Sequence, residues 1–300
     1  MSDTSSSGTL LFVGCATLDS IALVSEYPTA DSRTIAEDFV TAGGGPAATA
    51  AVAAARLGAR AAFAGIVGDD EEGDRVISGL NAEGIDTTAV VRDKSVRTGA
   101  SVIVVSRESQ SRAIVTRPLP PVRFPATGAF RDAVEAAAWV HVDHLGWGAV
   151  SGFKGLNISV DAGNPIPGFH PAEVSLYVPT IEQLSSRYGA DLDEVVLLQR
   201  AIDEGASCVV ATAGSQGSWV HRGTGSAVHV PPTTATIVST LGAGDVYHGA
   251  LLAAVSAGLD LVEAAAVAGQ VATTSCEGLD GRSMIPRLTL TASSTFTQSV

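Results

Sequence analysis

Short apolar runs alternate with amphipathic stretches along most of the chain. Leu10–Val13 is uniformly apolar and stops at Gly14, which predicts a strand buried on both faces. Residues 61–67 repeat the pattern and end in Gly68-Asp69-Asp70, and further strands are predicted at 139–142, 158–160, 175–177 and 208–212. Between them lie helical stretches. An Ala-rich helix opens at Gly43-Gly44-Gly45-Pro46, runs to about Leu57 and is closed by Gly58, with proline and glycine at their favoured ends. Others follow Asp70 to about Glu83, before the turn Gly84-Ile85-Asp86, and cover 131–138 and 192–204. Strands alternating with helices predict an α/β fold with a mostly parallel central sheet covered on both faces.

Two stretches break this rhythm. Residues 20–42 show interrupted alternation around Pro28 and many polar positions. Residues 98–116 hold two alternating runs, 100–105 and 113–116, on either side of Arg107-Glu108-Ser109-Gln110-Ser111, which reads as a hairpin. Together they predict a small half-exposed β-sheet lid, at about 18–42 and 96–118, inserted in a single domain spanning 1–300. The α/β rhythm resumes after Pro118-Leu119-Pro120-Pro121, and the tail from 288 to 300 is polar with no readable site.

The 300 residues are 46% hydrophobic and 16% charged, as suits one large globular domain. A net charge of −13 without a basic stripe argues against nucleic-acid binding. Lysine occurs only at Lys94 and Lys154, so positive charge rests on arginine. Cys15, Cys208 and Cys276 are isolated and odd in number, and read as buried free thiols. The N-terminus has neither the basic segment nor the apolar core of a signal peptide. The apolar run after Asp245 is interrupted by His248, Ser256, Gly258 and Asp260, which makes it a pair of core helices and not a membrane span. A cytoplasmic location is expected.

Residues 238–258 carry the clearest chemistry. They read as a strand end, the small-residue turn Gly242-Ala243-Gly244, and an apolar helix with Asp245 in its first turn. Backbone N–H groups there can approach an anion closely, and the helix adds unpaired N–H groups and its positive dipole end. Asp245 stands beside this cradle as a candidate base; a structural turn capped by an acid is the alternative. Asp19 falls just past the first strand, where open parallel sheets bind ligands. His141, Asp143 and His144 invite a metal reading, but no further ligand lies at close spacing. Gly43-x-Gly45-x-x-Ala48 satisfies a dinucleotide fingerprint, although the segment before it reads as exposed flap.

Gly44-Gly45-Pro46-Ala47 opening a helix, Gly65-x-x-Gly68-Asp69-Asp70 and Thr240-Leu241-Gly242-Ala243-Gly244-Asp245 resemble, in order and separation, the signatures of ribokinase-like (PfkB family) carbohydrate kinases. The likeness spans residues 10–287. Within the family, residues 43–50 and Tyr247-His248 are most similar to sulfofructose kinases, with ketohexokinase-like enzymes further off. The resemblance implies a ribokinase-like three-layer sandwich, ATP with Mg²⁺, and a small-molecule sugar substrate such as a ketose or an anionic ketose. It also implies a homodimer formed through the lid, with no nucleic-acid or membrane partner. Asp245 would be the catalytic base, with Gly242, Ala243 and Gly244 holding the transferred phosphoryl group. Asp19, Gly44, Gly45 and Thr49 would bind the sugar. Thr212, Gly214, Gly217, Thr240 and Arg282, the last after Gly281, would face ATP.

The sequence departs from the family in three places. Ser239-Thr240 stands where Asp-Thr is usual, so the monovalent-cation site of many members lacks its carboxylate. Thr49 stands where most members carry Asn. The Asn-x-x-Glu element associated with Mg²⁺ is absent near 178–183, with Glu182 out of register, and the protein ligands of a metal stay unassigned. Arg107, Arg112, Arg117, Asp143, His144 and Trp147 are the groups available to read the far end of the substrate. Two alternatives stay open: an NAD-dependent oxidoreductase, and a sugar-binding regulator of the same fold without catalysis.

Overall fold

The computed structural model describes residues 8–119, 124 and 127–292. In chain order its strands and helices begin with β1 (Leu10–Val13), β2 (Thr17–Val24), β3 (Asp38–Gly44), α1 (Pro46–Arg56), β4 (Ala61–Ala64) and β5 (Ile66–Gly68). Then come α2 (Glu71–Ala82), β6 (Val91–Asp93), β7 (Gly99–Ser106), β8 (Ser111–Arg117), α3 (Ala129–Ala136), β9 (Trp139–Val142) and α4 (Trp147–Val150). The last set is β10 (Ile158–Ala162), β11 (Leu176–Pro179), α5 (Ile181–Tyr188), α6 (Glu194–Asp203), β12 (Val209–Thr212), β13 (Ser218–His221), β14 (Val228–Val230), α7 (Ala243–Ser256) and α8 (Leu261–Ser275).

Eight strands form the main sheet, in the order β14-β13-β12-β11-β10-β9-β1-β4. It is parallel from β4 to β12, and β13 and β14 add an antiparallel edge. The uniformly apolar β1 is explained by burial on both faces. Leu10 and Phe12 enter one core cluster with α1, α7 and α8, while Leu11 and Val13 enter a second with α3, α4, α5 and α6. This is the three-layer α/β architecture that the pattern predicts.

The small sheet has the order β3-β2-β7-β8. Its outer pairings are antiparallel, as expected for flap and hairpin, but β2 and β7 pair in parallel from Thr17↔Gly99 to Val24↔Ser106. Ile21, Leu23, Ile103 and Val105 on one face pack on Leu279, backed by Val238 and Leu241, beside the turn that leads into α7. On the other face Phe39, Val102 and Val115 are exposed.

Two local readings need correction. Residues 61–67 are two strands, not one: β4 joins the main sheet and β5 pairs with β6. The break is at Gly65, where a Cβ would stand 2.5 Å from the Phe63 ring and 2.8 Å from Gly14 O. Asp19 is not in a loop after β1; it is inside β2, paired with Ala42 and Ser101. The chain turns at Gly14 (φ 154°) and Cys15 and enters the small sheet at Thr17, before the polar texture that begins at Ser20.

Asp70 ties the β5–β6 pair and α2 to the small sheet. Its Oδ1 caps α2 by accepting Gly73 N–H at 2.9 Å, and its Oδ2 accepts Thr98 N–H at 3.0 Å just before β7. Thr98 Oγ1 accepts Gly68 N–H at 2.8 Å in return. Burial opposes its ionisation, but the Thr98 and Gly73 hydrogen bonds hold this carboxyl below its ordinary range. Among the described residues, no helix is long and apolar enough to cross a membrane.

Candidate active site

The ends of β1 and β9 and the start of α1 are pulled together by Asp143. Its carboxylate accepts the N–H groups of Cys15 (2.7 Å), Ala47 (3.4 Å), Leu145 (2.8 Å) and Gly146 (2.9 Å). It is fully buried, so it is a strut and not a reader of the substrate's far end. Trp147 is lost to that role as well, packed edge-on against Phe169 at 5.2 Å.

On this strut rests the expected sugar side. Asp19 projects from β2 toward Gly44 of β3, where any Cβ would overlap its Oδ2. Gly45 has φ 89° and its Cβ would press on Cys15 O, so the chain can enter α1 here only as glycine. Asp19 is 6% exposed, and its Oδ1 is fully buried with no hydrogen-bond partner. Burial raises its pKa, against hydrogen bonds from Thr17 and Ser101 and the nearby charge of Arg282.

Arg282, expected to face ATP, is held between this side and Asp245. Its Nε and Nη2 donate to Thr49 Oγ1 at 3.1 and 2.9 Å, and Nη2 also donates to Gly44 O at 2.9 Å. Burial lowers its pKa to about 10, and the charges of Asp19 and Asp245 oppose that fall. With Gly43, Gly44, Arg56, Arg75 and Glu83 it also lines a cavity of about 310 Å³.

Opposite stands the turn into α7. Gly242 is left-handed (φ 72°), and a Cβ there would lie 3.6 Å from Thr49, 3.8 Å from Asp245 Oδ2 and 4.0 Å from Gly281, so the two signatures converge. A Cβ on Gly244 would meet nothing within 4 Å. That glycine therefore answers no packing need, and its side of the turn is open to a ligand. First-turn N–H groups of α7 have no intrahelical acceptor. Burial, then the Asp161 charge, pushes the Asp245 carboxyl up to about 7, while His248 and Arg282 pull it down.

Behind Asp245 lies a cluster that sequence reasoning missed. Asp161, at the end of β10, meets His248 of α7, with Nε2 to Oδ1 at 3.2 Å. His141 of β9 stacks obliquely on His248, the ring centroids 5.5 Å apart, and its Nδ1 is 3.2 Å from Ser159 Oγ. Two signals were available: an acid closing an apolar run before Gly-Asn-Pro, and a histidine three residues after Asp245 in an otherwise apolar helix.

The expected nucleotide residues form a separate group. Thr212 closes β12 and bridges to Thr180, four strands from β1 or roughly 19 Å at ~4.8 Å per strand. Gly214 and Gly217 have φ 56° and 87°, and a Cβ on Gly217 would overlap Val230 O, which explains that glycine as loop-shaping. No described contact joins this group to Asp245. Thr240 is exposed and accepts from Arg112 Nη1 at 2.8 Å. Ser239 is buried, its Oγ turned to Leu241 N–H at 3.1 Å. Arg107 pairs with Glu37, and Arg117 binds Thr98 O and Glu72. Glu182 is exposed in the first turn of α5. Among the described residues no group of three or more His, Cys, Asp or Glu side chains could hold a metal ion. The dinucleotide reading does not fit: Gly43 lies in β3, paired antiparallel in the small sheet, where that fingerprint needs a buried parallel strand.

The family model of the pfkB family carbohydrate kinases matches residues 8–151 and 172–287. An uncharacterized sugar kinase of Archaeoglobus fulgidus is 28% identical over 252 residues, covering 77% of this chain and 97% of its own. Ketohexokinase of Mus musculus is 27% identical over 303 residues, covering 91% and 98%. The Arabidopsis thaliana ribokinase complexed with ribose and ATP superposes with a TM-score of 0.78 at 22% identity, covering 93% of this chain and 96% of its own.

Proposed function

Because the chain belongs to the pfkB family of carbohydrate kinases, we propose that it transfers the γ-phosphoryl group of MgATP to a sugar hydroxyl, with Asp245 as the base. The observation that carries this is the pairing of Asp245, beside the open first turn of α7, with the orphaned buried oxygen of Asp19 across Thr49 and Arg282. A buried acceptor without a donor is costly and calls for a partner. Adjacent sugar hydroxyls are donors of the right kind.

In the reaction the sugar oxygen forms a bond to the γ-phosphorus as the bond to the β-phosphate oxygen breaks and ADP leaves. The hydroxyl proton passes to Asp245. The N–H groups at Gly242, Ala243 and Gly244 hold the charge on the moving phosphoryl group, the main demand of such a transfer. Gly44 and Gly45 bring backbone against the sugar, and Thr49 orients Arg282. Thr212, Gly214 and Gly217 border the nucleotide, and Thr240, exposed just before the Gly242 turn, faces the phosphates from the other side. Mg²⁺ enters with ATP, as is usual for an ion that keeps its waters and phosphate ligands. Ser239 offers no carboxylate to a monovalent cation.

Arg282 belongs to the sugar half, and its placement favours an anionic ketose of the sulfofructose type. The small sheet acts as a lid, and its exposed apolar face forms a homodimer. The free thiols and the use of ATP accord with a cytoplasmic enzyme.

Asp245→Asn is expected to fold normally and to lose about 10²–10⁴ in kcat, the usual worth of general-base help. Near-normal turnover would sink the assignment. ATP consumption on a panel of ketoses, aldoses, nucleosides and their phosphate or sulfonate derivatives identifies the substrate. Fructose or a nucleoside used far better than the sulfonate overturns the anionic preference, and ligand binding without turnover favours a sensor.

A further inference from the structure

Directly behind Asp245 lies a buried charge couple that the transfer itself does not use. His248 follows Asp245 by three residues on α7, so the two project from the same side of the helix. The side chains of His248 and Asp161 are only 5% and 9% exposed. Asp161 Oδ1 also accepts Gly163 N–H at 2.9 Å. The other ring nitrogen of His248, Nδ1, is fully buried and has no partner. Burying such a pair costs roughly several kcal/mol per ion before its attraction is counted, and apolar side chains fill such space at least as stably. Fold stability alone is therefore a weak reason for it here.

We propose that Asp161 and His248 are a positioning pair that sets the ionisation of Asp245, the imidazolium favouring its carboxylate and Asp161 its acid form. This rests on Asp245 being the base. The charges that face Asp245 are Asp161 from β10, Asp143 from β9, His248 from α7 itself and Arg282 from the segment after α8. Those that face His248 are Asp161, Asp245 and His141. His141 adds no charge, since burial and then His248 depress it to about 3. His248 moves the other way: burial disfavours its cation, but Asp161 and then Asp245 outweigh burial and raise its pKa. While the imidazolium stands, it offsets part of the Asp161 charge. Without it, Asp245 would face two carboxylates with only Arg282 in opposition.

The test is the pH dependence of kcat/KM in the wild type, His248→Gln, Asp161→Asn and the double variant. Loss of the cation moves the acid limb up by about one pH unit, and loss of the Asp161 charge moves it down by about as much. The double variant, a neutral amide pair, returns close to the wild-type limb. A merely structural role would lower kcat without opposed shifts. Limbs that stay put, or that move the same way in both single variants, overturn the proposal.

If a single variant fails to fold, ¹⁵N-histidine NMR reads the same coupling from the other side. Titration of His248 in Asp245→Asn should fall by about one pH unit relative to the wild type, because interacting groups share one titration. An unmoved His248 overturns the proposal. Either failure leaves the kinase reading intact as long as Asp245→Asn loses turnover; retained turnover in that variant removes the base itself.

Discussion

Arg282 shows how far a single residue's role depends on what it touches. It donates to Thr49 Oγ1 and Gly44 O, 233 and 238 positions away in the chain. In the proposed site the same guanidinium donates to the sugar, and one such charged hydrogen bond is worth about 1.5–3 kcal/mol. Arg282→Ala is therefore expected to raise the KM for the sugar by about 10- to 100-fold. The KM for ATP should change little. Steady-state kinetics with each substrate varied in turn decides this, and a selective rise for ATP would return Arg282 to the nucleotide. Tyr247 and His248 illustrate the same dependence. They are neighbours in sequence, yet Tyr247 Oη donates to Ser218 Oγ of β13 at 2.9 Å while His248 reaches β10. Asp245 and Asp19 were legible as acids at informative spacings. Their pairing through Arg282 was not, because spacing carries no information about a side chain arriving from the far end of the chain.

Among the elements, α1 and α7 matter most, since each presents one half of the site. Their alanine-rich sequences are explained by close packing: a Cβ on Gly249 of α7 would overlap the backbone of Ala50 of α1. A backbone obstacle cannot swing aside as a side chain can. Gly249→Ala should destabilise the protein by about 1–3 kcal/mol, the usual cost of overpacking. Gly269 of α8 is the control, because a Cβ there meets nothing within 4 Å. Gly269→Ala should gain about 0.5–1 kcal/mol from helix propensity. Chemical denaturation measures both, and equal effects would refute this account of the packing. Most helices and main-sheet strands were legible from periodicity. The split at Gly65 and the early start of β2 were not, because tertiary contacts place both boundaries. The antiparallel edge of β13 and β14 also went unread, its strands being too short to show a period.

Across the whole molecule, the small sheet is covered on one face and bare on the other. Val102 and Val115 are cross-strand partners, 58% and 73% exposed, and Phe39 is 62% exposed. Contiguous exposed apolar surface marks an interaction face. A second copy of the chain is the occupant proposed above. Val102→Lys/Val115→Glu should convert a dimer to a folded monomer in sedimentation velocity at micromolar concentration. A monomeric wild type, or a double variant that still dimerises, contradicts this.

The sequence by itself determined the α/β class, the buried first strand, the two signature turns and the inserted flap. These follow from local pattern: apolar runs, helix-end residues and glycines where backbone must come close. Only the tertiary structure decided that Asp143 is a strut, that Arg282 sits with Asp19, and that Asp161 and His248 stand behind Asp245. Each of those depends on desolvation and on charges brought together from distant elements. Burial sets the sign of such effects and distance their size, and a chain has neither until it folds.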